Sequence, residues 1–141
     1  MAHPLSVRFR RPDVATRLKQ EADAERRSAS ALIEELVDEG LRGRRHPHIV
    51  FRDGPSGRRA AVAGGPDVWE IVDGVVGGDI PVAERVDRAV ELFGWSRVHV
   101  DSALAYYAEY SDEVDRELDA NRAAAAEAEA AWNRMRDALA R

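Results

Sequence analysis

The sequence predicts a mainly helical protein with short β elements, arranged as three consecutive parts. Leu5 to Arg10, reading Leu-Ser-Val-Arg-Phe-Arg, alternates apolar and polar side chains with the period of a strand. Two stretches of apolar residues at helical spacing follow, with no second strand between them. Beyond Asp112 there is neither glycine nor proline, and the run from Arg122 to Ala131 is almost all alanine and glutamate, which favours one long helix. The expected divisions are 1–43, 44–111 and 112–141.

Composition narrows the class of protein. Hydrophobic residues make up 45% and charged residues 33% of the 141, as in a globular chain, and the absence of cysteine excludes a disulfide framework or a thiolate metal site. The start lacks a basic segment followed by an apolar run, and no long apolar stretch occurs, so a cytoplasmic protein without a membrane partner is expected. The net charge of −5 is unevenly spread. Residues 1–45 hold ten Lys or Arg against eight Asp or Glu, while the remainder holds eleven against eighteen. A local basic face at the N-terminal end can bind phosphates despite the acidic total.

The first strand needs a partner, because a lone strand exposes backbone donors and acceptors on both edges. The nearest available one is the same strand of a second copy, giving a homodimer. Such a two-stranded ribbon turns Leu5, Val7 and Phe9 onto the helices and lines the opposite face with Ser6, Arg8 and Arg10. That face suits the DNA major groove, which admits a two-stranded ribbon. The alternative is a solvated edge whose charges prevent aggregation. Pro12 suits the first turn of a helix, and Val14, Ala15, Leu18 and Ala22 carry that helix to about Glu25. Arg26 and Arg27 break the pattern. Ser28 is a good N-cap for a second helix with Leu32, Ile33, Leu36, Val37 and Leu41 facing inward, ending at Gly43.

Leu5 to about Leu41 resembles the ribbon-helix-helix superfamily of the CopG, Arc and MetJ repressors and of many antitoxins. The resemblance rests on the alternating strand, the two helix lengths and the Ser-x-Ser opening of the second helix. It implies that Ser6, Arg8 and Arg10 read bases in operator DNA while Ser28, Ala29 and Ser30 hold a backbone phosphate. Many relatives have a glycine in the turn that here holds Arg26 and Arg27, two cations beside that phosphate site.

Residues 46–63 switch to short strands: Ile49-Val50-Phe51, a turn at Asp53-Gly54-Pro55-Ser56-Gly57, then Arg58 to Val62, a natural hairpin. Arg58 and Arg59 could contact phosphate, pair with an acidic partner or simply be solvated. A helix is expected to open at Gly64-Gly65-Pro66-Asp67 and stop at Gly77-Gly78. Another starts near Pro81 with Val82, Val86, Val90 and Phe93 inward and breaks at Gly94, and a third begins at Ser96 or Arg97. The pair joined by Gly94-Trp95-Ser96 has helix-turn-helix spacing. Trp69, Trp95, Tyr106 and Tyr107 read as packing residues. Residues 49–118 resemble a small domain of VapB-like antitoxins, whose partners are PIN-type ribonucleases, in the strings 48–59, 64–70 and 103–110.

In the C-terminal helix Leu118, Ala125, Trp132 and Leu139 fall seven apart, beside Val114, Ala128 and Met135. Nothing upstream supplies a groove for Trp132 and Leu139, so a partner is expected to do so. The resemblance implies a helix or tail that lies across a ribonuclease toxin. Trp132, Met135 and Leu139 are then the apolar contacts, and Arg134, Arg136 and Arg141 could take the place of a catalytic metal. Packing on its own domain or in a homodimeric coiled coil is the alternative. An enzyme is not expected: His46 and His48 read as surface residues with no metal-ligand spacing, and Gly64-Gly65-Pro66 lacks a phosphate-loop lysine, so no cofactor or metal is implied. The sequence thus points to a type II antitoxin and DNA-binding repressor. A stand-alone ribbon-helix-helix regulator with an acidic dimerisation or effector half is the alternative.

Overall fold

A computed structural model of the chain describes residues 4–140. It is mainly helical, with six helices and a single two-stranded antiparallel sheet among the described residues, and it divides into two compact units after Arg42.

In the first unit, Leu5–Arg10 forms no strand within the single chain. Helix α1 spans Pro12–Ala24, with proline in its first turn and Ala22 buried. The chain then turns through Arg26 into α2, Ala29–Arg45. Ser28 begins that helix: its Oγ accepts from the Ala31 N–H at 3.1 Å and its carbonyl from the Leu32 N–H at 3.1 Å. Two expectations need correction. The helix does not stop at Gly43 but runs to Arg45, because a glycine in helical conformation costs only about 1 kcal/mol and Pro47 is the first residue that cannot continue it. Of its apolar positions only Leu32 is buried. Leu36, Val37 and Leu41 are exposed, since one copy of a short helix pair has nothing to lay across them.

The second unit opens with strands β1, Ile49–Gly54, and β2, Gly57–Val62, paired from Ile49↔Val62 to Gly54↔Gly57 around Pro55-Ser56. Gly57 has φ 109°, a conformation that favours glycine in such a tight turn. Four helices follow: α3 Val68–Val75, α4 Val82–Phe93, α5 Arg97–Glu109 and α6 Ser111–Leu139. Gly77 and Gly78, both at positive φ, end the α3 segment, and Gly94 at φ 66° ends α4. Ser96 caps α5 by accepting from the His99 N–H at 3.3 Å. The core gathers Ile49, Val62, Val68, Ile71, Val72, Val75, Val86, Val100, Tyr106 and Val114 from both strands and all four helices. Val82 and Phe93, expected inward, are exposed, as Val86 and Ala89 occupy the buried face of α4 instead. Phe93 stacks on Trp95 with ring centroids 4.4 Å apart. No helix among the described residues is long and apolar enough to cross a membrane.

Candidate nucleic-acid interface and partner-binding faces

Three places carry the candidate chemistry. The first is the N-terminal segment with the helix pair below it. Val7 and Phe9 line an apolar cavity of about 490 Å³ together with Val14, Leu18, Leu32, Ile33, Leu36 and Val37. Leu5, Val7 and Phe9 nevertheless keep much of their surface in solvent. Ser6, Arg8 and Arg10 are exposed. The helix pair therefore holds an apolar trough that its own N-terminal segment only partly fills.

At the start of α2, Ala29 and Ser30 are exposed and no acidic residue occupies the first turn, so no carboxylate offsets the positive end of the helix. Arg26 has φ 55°, a left-handed conformation that favours glycine over a residue with a side chain. Its guanidinium-bearing side chain is exposed. Arg27 behaves differently. It reaches Glu35 at 3.0 Å, Glu25 at 3.2 Å and the Ala31 carbonyl at 3.2 Å, and the hydrogen bond to Glu35 holds its guanidinium above the ordinary arginine value. Arg27 is a clamp between the turn and α2, with much of its charge already matched.

The second place lies where the hairpin meets α3. Arg52 and Arg59 are directly opposite in the ladder, a like-charge pair that repels. Asp67, buried at the N-terminus of α3, resolves it: Arg52 donates from Nε at 2.9 Å and Nη2 at 2.6 Å to Oδ1, and Arg59 Nε pairs with Oδ2. Trp69 Nε1 adds a donor at 3.3 Å. The side chain of Glu117 on α6 comes close to the same cluster. Burial, with Glu113 and Asp67 nearby and Arg59 opposing them, pushes its carboxyl up to about 7. Arg59 is thus partly buried rather than solvated. This ion cluster escapes sequence reasoning because its partners lie far apart along the chain, and only the quoted string 64–70 hints at Asp67.

His46 also departs from expectation. It is buried rather than on the surface, edge-on to Tyr106 at 5.4 Å and Tyr110 at 6.2 Å, with Nε2 3.4 Å from Glu109. Tyr106, wholly enclosed, donates to Glu113 at 2.9 Å. His46 thus belongs to the aromatic packing around α5. Among the described residues no group of three or more His, Cys, Asp or Glu could hold a metal ion.

The third place is the far end of α6. Trp132, Met135 and Leu139 are exposed. Arg134 pairs with Glu127 at 3.0 Å, and Arg136 Nε stands 3.8 Å from Asp137. Arg141 lies outside the described residues. No protein-family model, curated protein or solved structure matches this chain.

Proposed function

We propose that the chain is the antitoxin of a type II toxin-antitoxin pair, a cytoplasmic protein that acts by binding rather than catalysis. Its N-terminal unit binds operator DNA as a homodimer, and its middle and C-terminal regions neutralise a PIN-type ribonuclease. The observation that carries this reading is the apolar trough of about 490 Å³ between α1, α2 and the segment holding Val7 and Phe9. Leu36 and Val37 on its rim are too large and too exposed to be stable idle surface in so small a unit. A second copy supplies what is missing: its own Leu5–Arg10 as the neighbouring strand and its own α2 across the trough.

Paired in this way, Arg8 and Arg10 from both copies lie on one outer face, where arginine can bind guanine through two hydrogen bonds. The exposed first turn of α2 then meets a phosphate, with Arg26 beside it. The exposed Trp132, Met135 and Leu139 support a protein partner for the C-terminal helix, because tryptophan and arginine dominate interface energetics.

Binding of the purified chain to DNA upstream of its own reading frame, measured across salt concentrations, tests the proposal. Affinity should fall steeply with salt, and the Arg8→Ala/Arg10→Ala chain should lose sequence preference while keeping weak non-specific binding. A preference that survives the double substitution rules out the ribbon as the reader. Protection against an adjacently encoded ribonuclease separates the antitoxin from a stand-alone repressor.

A further inference from the structure

Helix α6 is 29 residues long, about 43 Å at the usual rise. Only its first third is anchored: Val114 and Leu118 are buried and Arg122 reaches Asp73 at 2.5 Å. From Ala123 to Leu139 no side chain is buried. That stretch is held by the helix propensity of its alanines and glutamates and by continuity with the anchored turns, not by tertiary packing.

The unsupported part carries a narrow seam in a seven-residue repeat. Ala125, Trp132 and Leu139 share one position, and Ala128 and Met135 share the position three residues on. A stripe this narrow matches a single neighbouring helix rather than the wide face of a globular core. Its two flanks differ in kind. One consists of Ala124, Ala131 and Ala138, which allows close approach, and the other of Arg122, Glu129 and Arg136, alternating in sign.

That asymmetry chooses both the partner and the direction. In a parallel pair the charged flank faces the alanine flank, and Glu129 and Arg136 find no counter-charge. In an antiparallel pair the charged flanks face each other, and one register sets Glu129 against the second copy's Arg136, and Arg136 against its Glu129. The same register places Trp132 opposite Met135 and Leu139 opposite Ala128, large beside small.

We propose that in the free protein the segment 128–139 of α6 pairs antiparallel with the same segment of a second copy, through the Trp132, Met135 and Leu139 seam and two Glu129–Arg136 ion pairs. This goes beyond the reading above, and where a toxin occupies the same face it displaces the second copy. Homotypic pairing thereby shields the apolar seam until a partner arrives.

The chain has no cysteine, so a single introduced one can carry a spin label without further changes. In the full-length protein without toxin, labels on Arg134→Cys should lie within about 20 Å of each other, since that residue sits near the pair's centre. Labels on Ala120→Cys should lie about 40 Å apart. Glu129→Arg should abolish the short distance, and Glu129→Arg/Arg136→Glu should restore it. Short distances at both sites would mean a parallel pair. Either that result, no defined distance at residue 134, or indifference to Glu129→Arg overturns the proposal. Toxin protection assayed separately with Trp132→Ala stands or falls independently of these distances.

Discussion

Tyr106, Val100, Ala103 and Val114 of the second unit are wholly enclosed, whereas among the described residues of the first only Ala22 and Leu32 are buried and Leu36, Val37 and Leu41 remain on the surface. The apolar residues of both follow helical spacing, so periodicity does not distinguish them. What differs is whether the chain itself provides the opposite wall. In the second unit a hairpin and four helices enclose one core, while the first has two helices and an unpaired segment. A chain can thus hold one unit that encloses its own core and one that leaves much of its apolar surface in solvent.

The sharpest break of that contrast is in the second unit. Tyr106→Ala should cost about 3–5 kcal/mol in denaturant unfolding, from the cavity and the lost bond to Glu113, and this cost should not vary with protein concentration. A midpoint that stays concentration-dependent when the α6 pairing is removed by Glu129→Arg would place the second unit's core stability in an interface as well. Next, Leu36→Asn should leave the single chain almost unaffected yet weaken self-association by roughly 2 kcal/mol, read by sedimentation equilibrium, because the leucine is half exposed in one copy and would be covered in the proposed dimer. Unchanged association would show that the exposed face of α2 is ordinary surface.

A smaller effect concerns pH. The folded chain retains the Glu117 proton up to about 7, while the unfolded carboxyl releases it near 4.5. Stability should therefore fall as pH rises through that window and level off above it. Glu117→Gln should flatten this slope, a change of about 1 kcal/mol once solvent screening of a half-exposed group is allowed for. Thermal unfolding between pH 4 and 8 measures it. Smallest is Ser28→Ala, expected to cost about 1 kcal/mol or less by removing the cap on the Ala31 N–H, seen as fraying of α2 in amide exchange.

The parts of this architecture legible in the sequence are those fixed by neighbours along the chain. Pro12, Ser28 and Ser96 mark helix starts, Gly94 marks an end, and the turn at Pro55-Ser56 marks the hairpin, because each acts on backbone within a few residues. Burial is less legible. Leu36 and Phe93 have the spacing of core residues, but what lies across from them is decided by other elements or by another chain. His46 and the Asp67 cluster were illegible for the same reason: Tyr106 and Arg52 reach them only after folding. Among the candidate site residues, Arg8, Arg10 and the opening of α2 stand exposed, while Arg27 is spoken for by Glu25 and Glu35.

Arg52 and Arg59 facing each other over a buried Asp67 have a consequence for how the hairpin finds its alignment. Sliding β1 by a single residue would turn Arg52 to the other side of the sheet, put Phe51 or Asp53 in its place and leave the aspartate with half its compensation in a low-dielectric setting. Mispaired hairpins are thereby penalised far more than the native one gains, so the cluster acts as a proofreader of strand alignment.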